Sequence, residues 1–70
     1  MIAATPDNLR AVRIDAGITQ AQAAVLMEMT PIGVSQYETG RRPIDPARWH
    51  LLLIRVGVHP DFVARHPVAA

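Results

Sequence analysis

Helix punctuation recurs so closely along this chain that no helix in it can grow long. Thr5-Pro6, Thr30-Pro31 and Asp45-Pro46 each set an oxygen-bearing side chain directly before a proline. Such a side chain accepts a hydrogen bond from the first helical turn, and proline there gives up only an N–H that the turn leaves unpaired. Gly17, Gly40 and Gly57 stand where the helical patterns run out, as residues that take a left-handed helix end without Cβ strain. Between these marks Asp7 sits at the positive end of the first helix, and Leu9, Val12, Arg13 and Ala16 follow at helical spacing. Thr19 starts a second helix, with Gln22 completing a capping-box pattern, and Ala23, Ala24, Leu26 and Met27 fall on one side of it. A third helix runs through Val34 and Tyr37 to Gly40, and a fourth covers residues 47–56. His59-Pro60-Asp61 opens a last short turn carrying Phe62 and Val63, before Pro67 ends regular structure. No stretch alternates with period two. The expected fold is all-α, with four to five short helices.

A chain of 70 residues is one small domain, and at this size only about 60% of the extended surface is buried on folding. Half the residues are apolar, enough for a packed core and against disorder. There is no cysteine, which excludes disulfides and thiolate–metal staples and leaves a partner subunit as the common stabiliser. The apolar run Leu51-Leu52-Leu53-Ile54 is far too short to span a bilayer. No basic segment followed by an apolar stretch opens the chain, so a cytoplasmic location is expected, without membrane contact.

The net charge is +1 but unevenly placed. Residues 1–40 hold two arginines against four carboxylates, a net −2, and residues 41–70 hold five arginines against two, a net +3. All seven positive side chains are arginine, suited to forked contacts with phosphate or carboxylate.

Two short helices joined by a tight turn at residues 28–29 describe a helix-turn-helix. The stretch Ile18-Thr19-Gln20-Ala21-Gln22-Ala23-Ala24, followed by Val34-Ser35-Gln36-Tyr37-Glu38-Thr39-Gly40-Arg41, resembles the Xre or lambda-repressor-like DNA-binding domains. The similarity runs from about Leu9 to Phe62. The continuation Arg41-Arg42-Pro43 through Trp49 and Leu53 looks like short regulators of phage and mobile elements, anti-CRISPR-associated regulators among them. Departures from the family pattern are Glu28, where glycine is usual, Pro31 and Ile32 in place of polar readers, and Gly33 inside helix 3. An αL non-glycine residue costs about 1 kcal/mol, and a mid-helix glycine about as much.

The resemblance implies that the start of helix 3 enters the major groove while helix 2 crosses the backbone. By position, Pro31, Ile32, Ser35 and Gln36 face bases, and Gln20 contacts a phosphate. Thr30 both caps helix 3 and approaches phosphate, and Arg41 and Arg42 lie where the backbone passes. Gln36 can pair with the N6 and N7 edge of adenine, and Ile32 can pack on a thymine methyl. The plain alternatives are an exposed filler for Gln36, a core or dimer contact for Ile32 and a solvated loop for the two arginines. The resemblance also pairs Arg13 with Glu38, while Ala24 sits at the helix crossing and Val34 faces inward.

Helix 4 is apolar on two sides: Trp49, Leu52, Leu53 and Val56 on one, Leu51, Ile54 and Val58 on the other. The second stripe with Phe62 and Val63 either receives a fifth helix folded back or forms a dimer contact. The expectation is a homodimer on a palindromic operator, with residues 1–65 as DNA-binding domain plus dimerisation helix and 66–70 as a flexible tail. The rival reading is an antitoxin-type module that binds a partner protein through its C-terminal apolar surface. His50, His59 and His66, nine and seven residues apart, make no metal-ligand spacing on one helix, and no nucleophile–base constellation or phosphate loop is present. No enzyme activity, cofactor or metal is expected.

Overall fold

The structure, a computed structural model, describes residues 2–57. Four helices follow in order: α1 Pro6–Asp15, α2 Gln20–Met27, α3 Pro31–Glu38 and α4 Pro46–Val56. There is no strand among the described residues, and the all-α expectation holds. The fifth turn, with Val58, Phe62 and Val63, lies outside the described residues.

The helix starts follow their sequence signals. Thr5 Oγ1 accepts from Asn8 N at 3.1 Å. Thr19 and Gln22 close both arms of the capping box, at 3.1 and 2.9 Å. Thr30 Oγ1 accepts from Gly33 N at 3.2 Å. Asp45 differs: it precedes α4 but makes no side-chain cap bond, and its carboxylate leans instead toward Arg48 Nε at 3.8 Å.

Helix α1 ends in a paired closure, Ile18 N donating to Arg13 O and Gly17 N to Ile14 O, with Gly17 at φ 71°. These are the bonds of a Schellman motif, and Ile18 packs against the core beside it. Helix α2 closes in the same way, Met29 N reaching Ala24 O at 2.9 Å, but the left-handed residue is Glu28, at φ 56° and ψ 48°.

Helix α2 packs against both α3 and α4, and α1 packs against α3. The shared core contains Leu9 and Val12 of α1, Ala23, Ala24 and Met27 of α2, Val34 and Tyr37 of α3, and Trp49, Leu52 and Leu53 of α4. Ala23 and Ala24 are fully covered, which is how α2 comes close to two helices at once. Ile2 joins this core, and Trp49 Nε1 donates to its carbonyl at 2.9 Å. The N-terminal segment is thereby pinned beneath α4, a contact across the domain that helical periodicity does not signal. The buried indole N–H would otherwise lack a partner in an apolar setting.

Candidate nucleic-acid interface

The candidate surface is built on α3, whose inner face is fixed by the buried Val34 and Tyr37 and whose outer face is left open. Ile32, on the first turn, is 72% exposed. Ile32, Ser35, Gln36, Thr39 and Arg41 line a single open depression along that face. Thr30 and Pro31 stand exposed at its leading end. Six of the residues predicted to meet DNA, Thr30, Pro31, Ile32, Ser35, Gln36 and Arg41, thus lie along one side of one helix.

Arg42 is held beside them in another way. Its guanidinium lies 5.4 Å from the centre of the Tyr37 ring, a cation–π geometry that keeps the charge in place while leaving its N–H groups to the outside. Gly33 makes room for this arrangement. A Cβ added there would lie 2.5 Å from Met29 Cε, 3.3 Å from Thr30 Oγ1 and 3.4 Å from Arg42 Nη1. The expected helix weakening at Gly33 is therefore matched by a packing reason: a side chain would crowd both the cap of α3 and the seat of Arg42.

Beneath the surface, Glu38 organises three elements. It is 4% exposed and accepts from Arg13 Nε at 2.6 Å and Arg13 Nη2 at 3.1 Å, a forked pair joining α1 to the end of α3. Hydrogen bonding to Glu38 and its charge hold the Arg13 guanidinium above its ordinary pKa, against the opposing effect of burial. Arg10 adds a bond from Nη2 to the Glu38 carbonyl at 3.0 Å, with its Nε 3.8 Å from the carboxylate. The paired Arg13 and Glu38 are as the resemblance implied; Arg10 was missed. Gln20 was expected to reach a phosphate, and its Nε2 donates to Glu38 Oε1 at 3.3 Å. A carboxamide nitrogen carries two N–H groups, so this bond orients Gln20 at the start of α2 with one of them and leaves the second able to donate.

Two arginines of α4 hold the turn between α2 and α3. Arg48 Nη1 donates to Met27 O at 2.8 Å and Glu28 O at 2.6 Å. Arg55 donates to Leu26 O at 3.1 Å and to Glu28 Oε2 at 3.0 Å. Three carbonyls at the negative end of α2 are thus met by cations, and the left-handed Glu28 is tied down through both backbone and side chain. This explains how a non-glycine residue is tolerated there. The signal in the sequence was the pair of arginines seven apart on α4 (Arg48 and Arg55), two helical turns on one face. Replacing Arg48 with alanine leaves two carbonyls to water and is expected to lower stability by about 1–2 kcal/mol, measured by urea denaturation; an unchanged midpoint would mean the clamp contributes nothing.

These contacts also engage two of the four carboxylates of residues 1–40, Glu28 and Glu38. Glu38 is enclosed by arginines and Glu28 is paired with Arg55, and no carboxylate lines the α3 depression. Among the described residues, Arg10, Arg13, Arg48 and Arg55 each lie within ion-pair distance of a carboxylate, whereas Arg41 and Arg42 have no such partner. No group of three or more His, Asp or Glu side chains able to hold a metal occurs among the described residues, and no helix there is long and apolar enough to cross a membrane.

A helix-turn-helix is a DNA-docking unit because its second helix protrudes while the first braces the backbone. Here α2 and α3 are two short helices packed together and joined by the clamped turn. No curated protein and no solved structure matches the chain. A family model described as a helix-turn-helix domain matches residues 7–65, most of the sequence, and the chain belongs to that helix-turn-helix family.

Proposed function

We propose that this protein is a sequence-specific DNA-binding regulator that acts in the cytoplasm as a homodimer and represses transcription by occupying its own promoter. The observation that carries the reading is the outer face of α3, where Ile32, Ser35, Gln36 and Arg41 share one depression free of carboxylates. Pro31 and Ile32 lead into the major groove, Gln36 pairs with an adenine edge, and Ser35 lies beside it. Gln20 and Thr30 donate to phosphates, and Arg41 and Arg42 neutralise them. The lambda-repressor-like regulators of phage and mobile elements are the proteins whose motifs it resembles. Residues 1–65 form the binding domain with its dimerisation helix, and 66–70 the tail.

Dimerisation is supported by α4. Its inner stripe is buried at Trp49, Leu52 and Leu53 and half-buried at Val56, while Leu51 is half-covered and Ile54 is 76% exposed. Val58, Phe62 and Val63, the rest of the proposed contact, lie outside the described residues. Arg41 and Arg42, the cations of the described residues without a carboxylate partner, give each copy two phosphate contacts, each worth about 0.9 in the salt slope, and a second copy doubles them. Two copies about 34 Å apart would read half-sites one DNA turn apart.

Selection of bound duplexes from a random pool tests this reading. It predicts enrichment of a two-fold-symmetric site with half-sites one turn apart; no enriched sequence would overturn it. On the selected duplex, the logarithm of affinity should fall with the logarithm of salt at a slope near −3.6 for a dimer, from about 0.9 per phosphate and two arginines per copy. Arg42→Ala should flatten that slope by about one per copy and weaken all sequences alike, as read by fluorescence anisotropy at several salt concentrations.

A further inference from the structure

Building on the DNA-binding reading, we propose that the surface formed by Ile32 and Gln36 selects a pyrimidine bearing a C5 methyl group beside an adenine, so that operator affinity depends on methyl groups in the major groove. Ile32 is an aliphatic side chain left 72% exposed, with the exposed Pro31 before it. The other side chains lining its depression, Ser35, Gln36, Thr39 and Arg41, all carry hydrogen-bonding groups. Ile32 with its neighbour Pro31 is too small for a protein-contact patch, but the aliphatic tip of Ile32 suffices to cover one methyl group.

Ile32 and Gln36 are four residues apart on α3, one above the other on the same face, so they meet neighbouring base pairs. Among the base edges of the major groove, the apolar feature is the C5 methyl of thymine, and adenine offers the N6 and N7 pair that a carboxamide matches. The chemistry of the hollow disfavours the alternatives. No carboxylate lines it to accept from the amino group of cytosine; its one guanidinium, Arg41, stands beyond the C-terminus of α3, and Arg42, beside Gly33, is held over the Tyr37 ring and does not line it. A cytosine or uracil opposite Ile32 would leave the aliphatic group without a partner. The same methyl is supplied by thymine or by 5-methylcytosine, so cytosine methylation at that position would raise affinity at a site otherwise bound weakly.

The test uses the full chain and the duplex recovered by selection. Each thymine is replaced in turn by deoxyuridine, which removes only the methyl. At one position in each half-site, affinity should fall about fourfold, the value of one buried methyl group. Placing 5-methylcytosine there should bind about fourfold more tightly than unmethylated cytosine by the same reasoning, which separates the methyl from the rest of thymine. Ile32→Ala, a change at an exposed helix position, should bind the duplex with the thymine–deoxyuridine difference abolished. Equal affinity for deoxyuridine at every position would overturn the proposal while leaving the DNA-binding reading intact. So would retention of the difference in Ile32→Ala. Failure to recover any duplex would instead overturn the reading beneath it.

Discussion

Arg13→Ala is expected to lose about 3 kcal/mol of stability, because it strips a buried carboxylate of its forked partner. Glu38 is 4% exposed and its shortest bond, 2.6 Å, comes from Arg13 Nε. An exposed ion pair would contribute about 1 kcal/mol at most, and the location of Glu38 is what separates the two cases. Arg10 is too far, at 3.8 Å, and too exposed to replace the fork, and Gln20 offers a neutral donor only. In a domain whose total stability is on the order of 5 kcal/mol, such a loss leaves a large unfolded fraction on mild warming. The measurement is urea denaturation followed by circular dichroism. A companion variant distinguishes a missing partner from a missing contact: Arg13→Met combined with Glu38→Leu removes both charges, and replacing a buried pair by apolar groups of similar size is often neutral. The double variant should therefore recover most of what the single variant loses. A loss below about 1 kcal/mol in Arg13→Ala would place the pair with ordinary surface pairs and undo the view that Glu38 ties α1 to α3.

Gln36→Ala is expected to weaken binding to the selected operator by about 1–3 kcal/mol per half-site, roughly fivefold to 150-fold, and to relax preference at one base position. Gln36 lies on the open side of α3, half-covered, and lines the depression with Ile32 and Ser35. Its loss exposes no core and removes no internal hydrogen bond that its side chain makes among the described residues, so stability should hardly change. The readout is anisotropy with the selected duplex and with duplexes altered at each position. A uniform loss across all sequences would make Gln36 a backbone contact; no loss would mean that another surface reads the DNA.

Most local structure was legible in the sequence, because caps and glycine stops act over three to six residues. Thr5, Thr19 with Gln22, and Thr30 all bond as their spacing indicates. Asp45 is the exception: its carboxylate has a nearby guanidinium on Arg48 to turn to, a choice that depends on a side chain one turn away. The contacts that spacing could not reveal are those between elements. Trp49 reaching the carbonyl of Ile2, Arg10 and Gln20 converging on Glu38, and Arg48 and Arg55 capping α2 all join residues far apart in the chain. Periodicity says which face of a helix is apolar; it does not say which carbonyl an arginine will find once the helices have packed. The site itself was readable as a row on α3, since Ile32, Ser35 and Gln36 lie at helical spacing. What needed the fold was the discovery that its surroundings hold no carboxylate, with Glu38 turned inward and Glu28 engaged by Arg55.

In the proposed complex the leading, outer side of α3 is the surface that enters DNA. This placement is tested most directly by titrating an isotope-labelled chain with the selected duplex and following each backbone amide by nuclear magnetic resonance. The amides and side chains that shift or broaden should be those of residues 30–36, with Gln20, Arg41 and Arg42 at the edges, while the outer face of α4 responds only through dimerisation. Perturbations gathered on α1 or α4, with the amides of 31–36 unmoved at saturation, would contradict it.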